Sequence, residues 1–384
     1  VTSAIDVEVG YYALVYLTVS GRIVDEIPLQ AMPQWNQTID ADGTWSITTQ
    51  IGPDDGSSGK TKTELHAVTD KWRHSVAICW GDGSGTDYVC QAGPLTACQL
   101  VSEQPPILKI GGTGFWPLLR KLAQIASTWP GVSLAQAGGA DTTYTSSLQG
   151  IAVAILTNAL ARQPYPLDLP GPIGGTATQT YFGYELISAG QRLQELTQGE
   201  GGPDILLKPY LTGDGHVRHQ ALIGNPTLAT SGRPLVFDYP GNAVSILPTD
   251  DGSNLSTTTY EKGGGIEYAT LWARSSDPSL TDDGWPLLEN VDTSHSGETV
   301  QATLQSWSDG TQALTGRPIA TWAVAVAQDD ADYPFGSYDA GATGIYNVQE
   351  HCWLLDGLYT QRILGLQNGS EQGQVVHLLQ TMED

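Results

Sequence analysis

Short runs of alternating apolar and polar residues, each closed by a Gly- or Asp-containing turn, constrain this chain more than any other feature. A period of two sends successive side chains to opposite faces, so such a run is stable as a strand with one face against a core. Tyr12–Val19 and Arg22–Leu29 flank Ser20-Gly21, a dipeptide that fits a two-residue hairpin. Trp35–Ile39 leads into a second turn, Asp40-Ala41-Asp42-Gly43, after which Trp45, Ile47 and Ile51 keep the period. Val76, Ile78 and Trp80 share one face of Ser75–Trp80, which turns over Gly81-Asp82-Gly83-Ser84-Gly85 and returns through Tyr88–Cys90. Residues 1–106 are therefore expected to form an antiparallel β-barrel or sandwich. With 45 glycines and 22 prolines in 384 residues, turn formers are frequent enough to end strands this often.

The pattern changes at Pro105-Pro106. After one strand, Ile107–Ile110, Thr113 is placed to cap a helix carrying Phe115, Leu118, Leu119, Leu122 and Ile125 at helical spacing. A second helix carries Leu148, Ile151 and Ile155. A third opens at Ser188-Ala189-Gly190-Gln191, a capping-box spacing, with Leu193 and Leu196 facing inward. A hairpin, Ile205–Leu211 and Val217–Ile223 around Gly213-Asp214-Gly215, closes this stretch, so residues 107–234 read as an α+β middle region. Strands return beyond Leu235 and include Thr321–Ala327, Ile345–Val348, Gln361–Leu366 and Gln374–Leu379. One helical stretch interrupts them, Thr299 to Leu314, whose Leu304 and Trp307 would face a core. Residues 235–384 form a second β-rich unit in this reading. The fold class is mainly β with an α+β middle.

Charge narrows the function. Lysine and arginine number 17 against 41 aspartates and glutamates, a net charge of −24. That balance excludes a protein that wraps duplex nucleic acid, because phosphate needs a basic surface. No run reaches the ~18 apolar residues of a membrane span, and Val1–Asp6 lacks a basic or apolar leader pattern, so a soluble, unsecreted product without a membrane anchor is expected. The four cysteines, Cys79, Cys90, Cys98 and Cys352, have no CxxC spacing and read as buried thiols, with a cross-strand Cys79–Cys90 bridge as the alternative.

Motifs that could carry chemistry fail on particular residues. Asp54-Asp55-Gly56-Ser57-Ser58-Gly59-Lys60-Thr61 ends like a phosphate-binding loop, but Asp54 replaces its first glycine, two carboxylates repel phosphate, and Thr61–Thr63 opens no clear helix. Gly111-Gly112-Thr113-Gly114 reads as a strand-to-helix turn, since Pro117 takes the third glycine position of a dinucleotide fingerprint. The seven histidines (His66, His74, His216, His219, His295, His351, His377) include no HExxH pair, so no zinc site is expected. The acidic loops Asp250-Asp251 and Asp329-Asp330-Ala331-Asp332 do not match a calcium loop. No GxSxG elbow is present, and His351 with Cys352 cannot form a dyad if both lie on one strand. Trp45, Trp80 and Trp322 lie inside alternating strands and read as core, whereas Trp285 and Trp307 could instead be exposed for stacking on sugars. No residue is assigned a catalytic, cofactor-binding or metal-ligating role, and no cofactor is expected.

Taken in order, several stretches resemble the minor tail proteins of long-tailed actinobacteriophages, the family similar to the tail hub or baseplate hub of other phages. They are the opening Tyr12–Leu29 hairpin with Gly21-Arg22 in its turn, and Leu108–Arg120 (Leu-Lys-Ile-Gly-Gly-Thr-Gly-Phe-Trp-Pro-Leu-Leu-Arg). Pro203–Pro209 (Pro-Asp-Ile-Leu-Leu-Lys-Pro), Ile223-Gly224-Asn225-Pro226 and Phe237–Asn242 (Phe-Asp-Tyr-Pro-Gly-Asn) follow, then Asp250–Asn254 and Gly284–Glu289 (Gly-Trp-Pro-Leu-Leu-Glu). The likeness spans nearly the whole chain. Each piece is a strand-and-turn signature, not a catalytic one. Pro240 departs from it where a second glycine is expected, and Ala340 disturbs the usual ending of Tyr338-Asp339-Ala340-Gly341.

The resemblance implies a non-enzymatic structural virion protein at the tail tip, assembled in the cytoplasm of the host bacterium. It would be a homotrimer whose two tube-like β domains per chain, joined by the α+β region, give a pseudo-sixfold ring. Its partners would be the distal tail protein ring, the tape measure protein, the central fibre and other minor tail proteins. Genomic DNA would pass through without specific binding, along a channel whose carboxylates offer phosphate nothing to hold. The alternatives are a carbohydrate-binding tail protein that contacts host cell-wall sugars and a tail-associated wall hydrolase.

Overall fold

The computed structural model describes residues 10–54, 59–81, 83, 87–126, 141–199, 201–228, 234–316 and 319–381. The expectations placed on Val1–Asp6, on Asp55–Ser58 and on Asp82, Ser84 and Gly85 lie outside these residues.

The opening hairpin forms as Gly10–Leu17 and Ile23–Ile27, antiparallel, with Gly21 in its turn. Gly21 has φ of 77°, and a Cβ there would lie 2.4 Å from the Val217 carbonyl oxygen, so both the turn and the packing require glycine. The strand Gly10–Leu17 pairs on its other side with His74–Gly81, which pairs with the first half of Asp87–Glu103. The second half of that long strand pairs with Pro106–Thr113, which continues to Thr44–Gly52 and then Gln34–Thr38. The change of partner falls at a bulge between Leu95 and Ala97, where one strand bends to serve two parts of the sheet.

The C-terminal strands attach directly to this array. Gly357–Asn368 pairs with Gln34–Thr38 through Gly365–Thr38, Leu366–Gln37 and Gln367–Asn36, and the sheet runs on through Gln374–Thr381 and Ile319–Ala327 to Ala243–Asp251. With Leu235–Tyr239, Thr343–Val348 and Lys60–Thr61 attached at the side, fourteen strands share one hydrogen-bonded sheet. The mainly β expectation holds, and the two β-rich parts, besides flanking an α+β region, also meet each other strand to strand. Their apolar faces form one cluster from Ala13 to Leu379, crossed by Trp35 against Phe335 at 5.6 Å and by Gln328 Nε2 donating to the Tyr11 hydroxyl at 2.8 Å. Trp45, Trp80 and Trp322 belong to it, as their alternation predicts.

Between these parts, Leu148–Arg162 and Ala189–Gln198 pack with a short helix, Trp116–Leu119, over the hairpin Ile205–Leu211 and Val217–Ile223. Ser147 and Ser188 cap the two longer helices, each accepting from the N–H three residues on. The helix expected from Thr113 to Ile125 is only four residues long. Thr113 belongs to a strand, and beyond Leu119 the backbone pairs with the segment before Ala189: Gln124 N–H donates to Ile187 O and Ala189 N–H to Leu122 O. Tertiary pairing overrides the helical spacing there.

A second departure lies at residues 256–315, within the part read as strands with one helix. Thr258–Lys262, Trp272–Ser276 and Glu289–Asp292 form a separate three-stranded sheet, with Gln301–Thr315 on its inner face. This small unit is inserted between Ala243–Asp251 and Ile319–Ala327, which pair with each other from Asp251–Ile319 onward. Among the described residues no helix is long and apolar enough to cross a membrane.

Candidate functional site

Three parts of the chain converge on two aspartates and one arginine. Asp40 sits in the turn after Gln34–Thr38 with φ of 56°, a left-handed conformation that aspartate tolerates. There its N–H donates to Ile205 O at 2.9 Å and its Oδ1 accepts the Ile205 N–H at 2.7 Å, which ties the N-terminal strands to the middle hairpin. Asp204, next to Ile205 and buried, accepts the Leu228 N–H at 2.8 Å and pairs with Arg362 from the C-terminal strand Gly357–Asn368. Burial pushes the Asp40 carboxyl up to about 6, against the pull of the Ile205 N–H and Arg362. Two acids and one base thus form the joint where all three parts touch.

Two clefts are lined by charged and aromatic side chains. One, of about 560 Å³, opens between Val217–Ile223 and the segment 332–342; its Asp168 and Asp339 already pair with Arg218 and Lys208. The other, of about 500 Å³, lies between the helices Ala189–Gln198 and Gln301–Thr315. Phe182 and Tyr184 stack on each other on its wall, 5.5 Å apart, and Arg192 is held by Glu185 and Glu195. Trp307 donates from Nε1 to Glu195 O at 3.3 Å and stacks on His295 at 3.8 Å.

Behind His295 stand Glu261 and Asp292, direct partners across the parallel pair Thr258–Lys262 and Glu289–Asp292, on the face toward the helix. Glu261 is fully buried: Oε2 lies 3.3 Å from His295 Nδ1, and Oε1 accepts the Thr311 hydroxyl at 3.2 Å. Asp292 Oδ1 accepts the Ser294 N–H at 2.7 Å, and the Ser294 hydroxyl lies 3.2 Å from His295 Nδ1. One donor atom from each of Glu261, Asp292 and His295 falls within 4.8 Å of the others. Ligand spacing rules do not find this trio, because strand register brings together residues more than thirty positions apart. Its only local trace is Asp292 three residues before His295.

The motifs singled out from sequence are spread over the fold. Lys60, the lysine of the phosphate-loop look-alike, pairs with Asp25 at 2.7 Å, and Lys62 just beyond it pairs with Asp54 at 2.9 Å, so neither is uncommitted. A helix does begin there, contrary to expectation: Thr61 caps Lys62–Val68 in a reciprocal capping box with Glu64. Gly111, Gly112 and Thr113 lie within a strand and form no anion cradle; a Cβ on Gly112 would sit 2.1 Å from the Trp45 ring. His219 is buried against Phe115, donates from Nε2 to Ala92 O, and is pushed down to about 4 by burial. His377 shares 2.8 Å hydrogen bonds with the Tyr346 and Tyr338 hydroxyls and is pushed down to about 3 by burial.

His351 and Cys352 lie in a loop, where His351 Nδ1 accepts the Trp353 and Leu354 N–H groups and Nε2 faces Ile246 O, so the ring is committed to backbone. All four cysteines are free; Cys79 and Cys90 are buried, but Cys98 is half-buried and Cys352 exposed, which corrects the buried-thiol expectation for those two. Trp285 is 40% exposed, whereas Trp307 is 9% exposed and packs on His295, so it is not available for stacking on a sugar.

No family model and no curated protein matches the chain. Solved structures do. A tail protein from Neisseria meningitidis MC58 aligns over 97% of this chain and 96% of its own, with TM-score 0.53 and 13% identity. The 43 kDa tail protein of prophage MuSo2 from Shewanella oneidensis covers the same shares with TM-score 0.55 and 10% identity. The lidded Francisella PdpA-VgrG complex contains a chain that matches over 97% of this one and 53% of its own, with TM-score 0.52 and 9% identity. At these identities the likeness establishes the fold, which is that of phage tail proteins and of a VgrG-complex chain.

Proposed function

We propose that this chain is a structural, non-catalytic component of a phage-type tail, and that it acts as a trimeric hub at the tail tip. The observation that carries the reading is end-to-end likeness: two tail proteins align over almost their full length, so the whole chain, and not one module of it, has the tail architecture. In this reading residues 1–106 and 235–384 are the two tube-like elements and 107–234 the region beside them. Three chains then present six such elements to the distal tail ring above, with the tape measure protein ending at the hub and the central fibre below. The direct strand pairing through Gln34–Thr38 and Gly357–Asn368 suits that role, because it makes the two elements one rigid piece. The net charge of −24 suits a channel along which DNA slides without being held.

The test is the mass of the purified chain by light scattering, over a concentration series, with and without the tail ring protein. A trimer, alone or on ring binding, is the expected result. A monomer that persists and ignores the ring overturns the hub. A second reading, contact with cell-wall saccharides, is favoured by the exposed Trp285, Trp272 and Trp353, and binding of cell-wall glycans by such a monomer would support it.

A further inference from the structure

The inserted unit at residues 256–315 has little to hold it together. Its buried apolar cluster is Ala273, Leu304 and Trp307, with Leu271 at the edge. Hydroxyls, amides and a carboxylate fill much of the rest of its interior, among them Thr257, Thr259, Glu261, Ser308 and Gln312. Units this small with so thin a core usually need a further fastening, commonly a disulfide or a metal ion. None of its residues is a cysteine.

At the centre of that interior Glu261 is fully buried, and among the described residues no lysine or arginine pairs with it or with Asp292. A buried carboxylate without compensating charge costs several kcal/mol. The group facing it is His295, whose Nδ1 lies 3.3 Å from Glu261 Oε2. That separation is long for a charge-assisted hydrogen bond, typically about 2.7–2.9 Å. It is close to the spacing of two ligands around an ion bound at about 2.0–2.1 Å in tetrahedral geometry.

We propose that Glu261, Asp292 and His295 bind one divalent first-row transition ion of the Zn²⁺ or Mn²⁺ kind. One imidazole nitrogen with two carboxylate oxygens suits such ions better than Ca²⁺ or Mg²⁺, which prefer oxygen alone. The donor atoms, all within 4.8 Å of one another, close onto the roughly 3.4 Å spacing of tetrahedral ligands at about 2.1 Å with up to about 1.4 Å of side-chain movement, within reach of a rotation of the half-buried Asp292 and His295. The surroundings are those of a ligand set: Thr311 holds the other oxygen of Glu261, and the Trp307 face fixes the plane of the imidazole. His295 lines the 500 Å³ cleft, which gives the ion a route in and leaves room for water at a remaining coordination position. Bound there, the ion ties Thr258–Lys262, Glu289–Asp292 and the turn leading to Gln301–Thr315 to one point. The rival account is an imidazolium paired with Glu261, which takes up no ion.

The test uses the full chain, stripped with chelator and titrated with Co²⁺ as a visible-absorbing probe, then with Zn²⁺. One Co²⁺ per chain is expected, with d–d absorption bleached by Zn²⁺ and a melting temperature raised by Zn²⁺. His295→Ala should weaken binding by about tenfold or more and abolish the Zn²⁺-dependent rise in melting. Asp292→Asn, at a half-buried position where loss of the fold is not expected, should do the same while its circular dichroism stays that of the parent. Absence of saturable Co²⁺ uptake overturns the proposal and leaves the imidazolium pair. So does uptake of equal affinity in both variants, which would place the ion on other histidines or on the exposed Cys352.

Discussion

Replacing Asp40 by asparagine should stabilise the protein at neutral pH and leave it almost unchanged in acid. Burial raises the folded-state pKa of this carboxyl from its ordinary 3.8 to about 6. A carboxyl with a raised folded pKa contributes stability below its unfolded pKa and loses it as pH rises through the folded one. At about 1.4 kcal/mol per pH unit, ionised Asp40 therefore costs about 3 kcal/mol at pH 7.5. Asp40→Asn removes that cost but keeps an Oδ1 to accept the Ile205 N–H, and asparagine adopts the left-handed φ of 56° as readily as aspartate. The value of about 6 already contains the attraction to Arg362, so a gain of up to about 3 kcal/mol is expected at pH 7.5, falling toward zero between pH 6 and pH 4. The assay is urea unfolding at pH 4 and pH 7.5, with Asp40→Ala as control; having no acceptor for the Ile205 N–H, the alanine variant should be less stable than the asparagine variant at both. An asparagine variant whose stability difference from the parent is the same at both pH values would refute the reasoning.

Burial lowers both His219 and His377, to about 4 and about 3, so they act in the opposite sense: the stability tied to their neutral rings is present above about 6.5 and lost as pH falls. Each should account for about 3 kcal/mol of lost stability between pH 6.5 and pH 4, and in His377→Gln the drop in urea midpoint over that range should shrink accordingly. Gly112→Ala should cost more than about 3 kcal/mol or prevent soluble expression, because its Cβ would meet the Trp45 ring at 2.1 Å and the Pro94 carbonyl oxygen at 2.4 Å. Gly171→Ala, with nothing within 4 Å, should melt as the parent does.

What sequence makes legible here is whatever is local. The hairpin of Ile205–Leu211 and Val217–Ile223 stands at its expected ends, because alternation and the turn Gly213-Asp214-Gly215 lie within twenty residues. Leu148, Ile151 and Ile155 likewise share a helix, and Ser188 caps the next one, as their local spacing predicts. The stretch Thr113 to Ile125 misleads because its helical spacing is genuine, while the pairing with residues 187–189 that overrides it is distant in sequence. Thr61 misleads in the other direction: beside a phosphate-loop look-alike, the Thr61 and Glu64 pair reads as part of a failed motif instead of a cap. The inserted unit escapes because its strands are four or five residues long and one pair is parallel, so neither alternation nor a hairpin turn announces it. The meeting of Glu261, Asp292 and His295 escapes for the same reason.

The pairing of Gln34–Thr38 with Gly357–Asn368 also sets a schedule for synthesis. A ribosome adding about 5–20 residues per second makes Gly365 roughly 15–65 seconds after Thr38. Through that interval the strand Gln34–Thr38 has a partner on one side and a bare row of amides and carbonyls on the other. Such an edge invites any passing strand, including the same edge of a neighbouring nascent chain on one messenger. Chains released before the Gly357–Asn368 segment is made would keep that edge open. They are expected to collect in inclusion bodies rather than persist as half-size monomers, and slower growth or an abundant chaperone should raise the yield of the whole chain.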